Sequence, residues 1–197
     1  HVILNPTTID TDRYHNRIKK FDSSKKIVLG WTGTHSTLRY LNEIEDVFRE
    51  LETHCDFELC VISDKKPFTI SGLRSLNYVP WKKETEISDL LRIDIGLMPL
   101  TNDPWAHGKC GLKALQFMAL GIPSIVSAVG VNTTILDHTV NGFVCYTKED
   151  WIKYISLLIS DRKLLAGMGM CARKKVEDRY SVQSNTKNFL HLFSKKI

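Results

Sequence analysis

The sequence predicts an α/β domain of Rossmann-like type, with a mostly parallel sheet of about six strands and helices on both faces. Two observations predict it. Strand-like and helix-like segments alternate from Ile27 to Ser127, and the strands are short continuous apolar runs, not alternating ones. Such runs belong to strands covered on both faces, which is how a parallel sheet sits between two helical layers. At 197 residues, 43% hydrophobic and 25% charged, the chain has material for one good core or two small ones.

In chain order, Val2, Ile3 and Leu4 before Asn5-Pro6 read as the end of a strand entering a turn. Residues 7–22 are polar and irregular, with a helical turn at 12–15, so 1–22 reads as a linker on the surface. The first residue is not methionine and the chain begins in mid-strand, which predicts a fragment. Residues 27–31 form the first strand, and Thr32-Gly33-Thr34-His35-Ser36 follow at once. Ser36 or Thr37 can cap a helix running to Glu52, with Leu38, Leu41, Ile44, Val47, Phe48 and Leu51 on its inner face. Strands at 57–62 and 76–79 come next, then a helix at 84–91 and a fourth strand at 93–100. A helix at 109–120 is closed by Gly121 and Pro123, ahead of a fifth strand at 123–127. Residues 128–140 form a Gly/Asn/Thr-rich connection and 142–146 a last short strand. From Lys148 the chain is helical, with breaks near Asp161 and Ser181. The domain proper is therefore read as 23–180, and 181–197 as a C-terminal helix.

In parallel sheets of this kind ligands bind beyond the carboxyl ends of the strands. The loops at 31–35, 78–82 and 100–109 all point to that edge. The helix at 109–120 is apolar nearly all round except for one stripe. At 100° per residue, Lys109, Lys113 and Gln116 fall within about 60° of one another. A cation at a helix start opposes the macrodipole. A bound anion would remove the conflict, since backbone N–H groups and two ammonium groups would converge on it. The alternative is that both lysines extend to solvent from a partly buried helix. In Gly30-Trp31-Thr32-Gly33, two glycines at a strand-to-helix turn would let the backbone approach a phosphate, or serve the turn alone. Tyr78, Val79, Pro80 and Trp81 end a strand on the same edge. A nucleobase could lie against Trp81 and the backbone of Val79, or Trp81 could simply close the core. His35 and His107 are candidates for polar contacts to a sugar or phosphate, or ordinary surface residues.

The net charge of +5 is dispersed, which suits small anions and argues against a nucleic-acid partner. Five cysteines with no CxxC pair read as reduced, mostly buried thiols of a cytoplasmic protein. No apolar run reaches membrane-spanning length. No metal constellation, nucleophile elbow or P-loop lysine is visible, so no metal or other cofactor is expected.

Residues 109–132 resemble the donor-binding half of glycosyltransferase family 4, the group 1 glycosyltransferases. The resemblance rests on the run from Gly111 through Leu112, Lys113, Gln116 and Gly121 to Pro123, followed by Ser127-Ala128-Val129-Gly130-Val131-Asn132. Asn141-Gly142-Phe143, Asp94-Ile95-Gly96-Leu97-Met98-Pro99-Leu100, and Leu4-Asn5-Pro6 with Ile9-Asp10-Thr11-Asp12 also match family elements. It implies one half of a GT-B fold, the C-terminal, donor-binding domain of a retaining hexosyltransferase-type enzyme. Such an enzyme moves a sugar from a nucleoside diphosphate to a hydroxyl of a glycan, lipid-linked or other acceptor held by an N-terminal domain. Without that domain the fragment should be inactive alone. The resemblance implies that Lys109 and Lys113 neutralise the donor diphosphate without a metal. Gly33, Thr34, Val79, Trp81, His107, Gly111, Leu112 and Gln116 would complete the donor site. The E-x7-E pattern of many relatives falls here on Gly108 and Gln116, so the ribose-contacting acid is an amide and the first acid is absent. Asp103 lies nearby in the loop. A GT-B epimerase acting on a UDP-sugar, or a non-catalytic nucleotide-sugar-binding module, would share these features. The enzyme implied works in the cytoplasm, with room for peripheral association at the inner face of a membrane.

Overall fold

The computed structural model describes residues 4–67, 70 and 72–193. Val2 and Ile3, read above as a strand end, lie outside the described residues. The elements in order are β1 (Ile27–Gly33), a 3-10 turn (His35–Thr37), α1 (Arg39–Asn42), α2 (Glu45–Leu51), β2 (Phe57–Ser63), β3 (Leu76–Pro80) and α3 (Glu86–Leu90). Then follow β4 (Ile95–Met98), α4 (Pro104–His107), α5 (Leu112–Ala119), β5 (Ser124–Ser127), α6 (Asn132–Ile135) and β6 (Gly142–Cys145). Three longer helices close the chain: α7 (Lys148–Ser160), α8 (Arg162–Arg179) and α9 (Val182–His191).

The six strands form one sheet in the order β3-β2-β1-β4-β5-β6, and every pairing is parallel. The expected parallel α/β sheet is therefore present, and β1, β2, β4, β5 and β6 are buried as that class requires, while the edge strand β3 is half-buried. One core layer packs α2, α7 and the start of α8 on the sheet through Val47, Phe48, Leu51, Trp151 and Leu165. The other side holds Leu115, Met118 and Ala119 of α5 against Val126, Ala172 and Val176.

Two glycines fix the centre of the sheet. Gly30 pairs with Gly96 across β1 and β4. A Cβ on Gly96 would overlap the ring of Phe117, so the absent side chain lets α5 lie directly on β4. A Cβ on Gly30 would overlap Ile93. Gly30 thus serves packing, which corrects its reading as a turn glycine: both Gly30 and Gly33 lie inside β1.

The helix expected from Ser36 to Glu52 is broken into the 3-10 turn, α1 and α2. Ile44 leaves helical geometry (φ −124°, ψ 21°) and its side chain enters the core. The breaks expected near Asp161 and Ser181 fall there because each side chain caps the next helix. Asp161 accepts from Leu164 N at 2.8 Å and Ser181 from Ser184 N at 3.0 Å. At the start of α7, Thr147 and Asp150 form a reciprocal capping box.

The segment before β1 packs along α5 and α8. Ile9 bridges to Ser181, and Lys19 pairs with Asp94 at 2.8 Å with both side chains nearly buried. Arg173 of α8 donates to the carbonyl oxygens of His15 and Ala119, tying this segment to the end of α5. Of the five free cysteines only Cys60 and Cys145 are buried, while Cys110 and Cys171 are exposed, so the expectation of mostly buried thiols fails.

Candidate functional site

The strand order reverses between β1 and β4, and sheets of this topology bind ligands in the crevice outside that reversal. A cavity of about 320 Å³ opens there. It is lined by Thr32, Gly33, Thr34 and Thr37 after β1, Asp64 after β2, and Trp81 after β3. Glu86 of α3 and Leu112, Lys113 and Gln116 of α5 complete it. A second cavity of about 340 Å³ lies beyond β4, β5 and β6, between Leu100, Asn102, Ser127, Val129 and Tyr146. A larger one, about 640 Å³, is elsewhere, beside the loop entering β6 and the C-terminal half of α8.

Gly111 stands at φ +70°, outside any helix interior, and a Cβ there would overlap Ile135. The helix therefore starts at Leu112, which corrects the expected start at Lys109. The single stripe of Lys109, Lys113 and Gln116 on one helix does not exist, and the macrodipole conflict at Lys109 falls with it. The first turn of α5 still leaves backbone N–H groups without helical carbonyl partners, because the first helical bond is Leu115 N to Gly111 O, 3.1 Å.

Three cations gather around this turn. Lys113 is half-buried, with its ammonium 5.3 Å from the centre of the Trp31 ring. Burial first, then the charge of Lys109, pushes its pKa down from 10.5 to about 8. Lys109 lies over Tyr40 at 5.3 Å and Trp105 at 5.8 Å, and Arg39 lies over Tyr40 at 5.1 Å. Among the described residues none of the three has a carboxylate within 4.0 Å. Aromatic faces hold these ammonium groups where counter-ions would ordinarily sit. Gly33 permits the closeness: a Cβ there would come within 2.8 Å of Lys113 Cε and 2.6 Å of the Trp31 ring.

Glu86 also lines the cavity. Its carboxylate accepts from Tyr14 Oη at 2.6 Å, Trp81 Nε1 at 3.2 Å and Gln116 Nε2 at 3.5 Å. The Glu86 bond pushes the Tyr14 phenol up to about 12. Asp64 accepts from both His35 N at 2.6 Å and His35 Nδ1 at 2.7 Å, and the His35 side chain holds the Asp64 carboxyl below its usual range.

Of the residues named from sequence, the cavity brings together Gly33, Thr34, Trp81, Leu112, Lys113 and Gln116. Gly111 and Lys109 flank it without lining it. Val79 packs against the buried cluster that includes Cys60, Ile62 and Phe117. His107 is exposed and bonds Asn102 at 2.7 Å, so neither joins the lining. Trp81 is 44% exposed, which removes the reading that it closes the core. Asp103 is occupied: it accepts from Thr101 and caps α4 through Ala106 N. The sequence reading missed Glu86, Asp64 and Arg39. A carboxylate on a short helix, or a cation in a polar turn, carries no periodic signal. Among the described residues no group of three or more His, Cys, Asp or Glu is placed to hold a metal ion.

A model of the family described as glycosyl transferases group 1 matches residues 70–175, more than half of the chain. This chain belongs to the group 1 glycosyl transferases. The glycosyltransferase domain is 30% identical over 102 residues to an uncharacterized glycosyltransferase of Methanocaldococcus jannaschii, a match spanning 51% of this chain and 25% of that protein. Its fold matches the C-terminal domain of a group 1 family protein (LpcC) from Francisella tularensis, at TM-score 0.64 and 19% identity. That match covers 90% of this chain and 96% of that one. It also matches TarM at TM-score 0.76 and 16% identity, over 93% of this chain and 38% of TarM. HepE of Anabaena, crystallised with UDP-glucose, matches at TM-score 0.70 and 14% identity, over 94% of this chain and 55% of HepE. This chain is therefore built as one half of a GT-B fold, and it spans about a quarter of the curated relative. No described helix is long and apolar enough to cross a membrane.

Proposed function

We propose that this chain is the nucleotide-sugar donor-binding domain of a retaining glycosyltransferase, acting with a second domain that holds a hydroxyl acceptor. The observation that carries the reading is the trio of Lys113, Lys109 and Arg39 at the opening of α5, held on aromatic rings with no carboxylate within 4.0 Å among the described residues. A diphosphate placed there would meet the free N–H groups of the helix start and the two ammonium groups together. Trp81, which also lines the cavity, offers an exposed ring for the nucleobase. UDP and UDP-glucose in the HepE crystals support a nucleotide donor of this class.

In transfer, the anomeric C–O bond breaks and negative charge grows on the departing diphosphate. Lys109 and Lys113 would meet that charge at fixed positions, and stabilisation that grows with the charge lowers the barrier. Arg39 adds a third positive charge at the same edge.

A thermal-shift screen of UDP-, GDP-, ADP- and dTDP-sugars tests the reading, since a ligand of the folded state raises the melting temperature. At least one donor should stabilise the chain, and Lys109→Ala and Lys113→Ala should abolish most of that gain. No response to any donor at millimolar concentration would overturn the assignment.

A further inference from the structure

We propose that Glu86 holds the ribose hydroxyls of the donor nucleoside and makes the site select ribonucleotides over 2′-deoxyribonucleotides. The inference rests on the donor-binding reading above. A nucleoside diphosphate presents an aromatic base, a vicinal diol and then phosphates. The cavity presents Trp81, the Glu86 carboxylate and then Lys113 with the start of α5.

The hydrogen bonding of Glu86 is that of an unfinished acceptor. It takes bonds from Tyr14, Trp81 and Gln116, all uncharged donors, and no cation lies within 4.0 Å among the described residues. A carboxylate has about four lone-pair sites, so one is open. The Gln116 contact, at 3.5 Å, is at the outer limit of a hydrogen bond and is easily exchanged for a hydroxyl. Two adjacent hydroxyls can donate to one carboxylate together, and such charge-assisted bonds are the strong ones. Tyr14 comes from the segment before β1 and Trp81 from the loop after β3. They brace the carboxylate from two sides and act as positioning residues.

Asp64 is the rival, because Rossmann sheets often place a ribose-binding acid about there in the fold. Asp64 also takes three bonds, Oδ1 from His35 N at 2.6 Å and Ser63 Oγ at 3.2 Å and Oδ2 from His35 Nδ1 at 2.7 Å. Both of its oxygens thus carry a short bond from His35, whereas Oε1 of Glu86 holds only the two long ones, at 3.2 and 3.5 Å, so Glu86 is the carboxylate with an oxygen that exchanges readily for a hydroxyl.

The test is calorimetric titration of the chain with UDP, GDP and ADP, their 2′-deoxy counterparts, and inorganic pyrophosphate. The wild type should prefer a ribonucleotide by roughly tenfold or more, the worth of a hydrogen bond to a charged group. Glu86→Gln should cut that preference to about twofold or less, with pyrophosphate affinity unchanged, while Asp64→Asn keeps it. A purely structural role for Glu86 would weaken ribo and deoxy forms alike, and that outcome overturns the proposal. So does a wild type without the preference, or a preference lost in Asp64→Asn and retained in Glu86→Gln. If neither pyrophosphate nor any nucleotide binds, the donor-binding reading itself fails and this one with it.

Discussion

Replacing Lys113 by methionine should stabilise the empty domain while weakening diphosphate binding. Methionine keeps an unbranched stem over Trp31 and removes the ammonium. The pKa of Lys113 falls from 10.5 to about 8 in the fold, so at about 1.4 kcal/mol per pH unit the charged form costs the folded state roughly 3 kcal/mol. The lost contact with the Trp31 face offsets about 0.5–2 kcal/mol of that. A net gain of about 1–2 kcal/mol remains, or roughly 2–8 °C in melting temperature for a chain of this size. The sign with pH follows from proton counting. Unfolded Lys113 keeps its proton to pH 10.5, whereas folded Lys113 loses it near 8. Between those values the unfolded state binds more protons, so the wild type gains stability as pH rises. The lead of Lys113→Met should therefore be full below pH 8 and, at about 1.4 kcal/mol per pH unit, be used up between about pH 8.7 and 9.5. Diphosphate affinity, read by calorimetry at pH 7, should fall about 10- to 150-fold, with far less change for the bare nucleoside. A variant that melts lower than wild type and binds diphosphate normally would refute both the burial and the site.

Trp81→Ala should lower nucleoside diphosphate affinity about 2- to 10-fold and leave pyrophosphate binding unchanged, since only the base is expected to meet the ring; equal losses in titration would count against a base platform. Gly33→Ala should lower both melting temperature and diphosphate affinity, because the new methyl must displace the buried Trp31 ring or Lys113, at a cost of about 1–3 kcal/mol; an unchanged melt and titration would show that neither is held firmly. His15 is buried with neither ring nitrogen hydrogen-bonded among the described residues, and burial lowers its pKa below 6.5. The unfolded chain thus takes up a proton first as pH falls, so stability should drop below pH 6.5. His15→Leu should flatten that acid limb in urea titrations, and an identical acid limb in the variant would refute the assignment.

Much of this molecule was legible in the sequence because its signals are local. Continuous apolar runs marked buried strands, and the breaks read near Asp161 and Ser181 fall where those side chains cap the next helix. Gly33 and Trp81 could be named because strand ends in a parallel sheet share one edge, and Leu112, Lys113 and Gln116 from helix periodicity and the family resemblance. The sequence pattern also carried the family, which the match over residues 70–175 establishes.

Other features exist only because distant segments meet. The start of α5 is set by Gly111 at φ +70°, a conformation imposed where Ile135 packs against it, and no periodicity near Lys109 reports that. The closeness of α5 to β4 depends on Gly96 receiving Phe117, a contact that requires β4 to pair with β1 and lie under α5. Glu86 meets Tyr14, Trp81 and Gln116 only once the segment before β1, the loop after β3 and α5 are folded together. A sequence specifies backbone preference and burial residue by residue. Which side chains share a cavity is decided by strand order and crossover, through contacts between residues far apart in the chain.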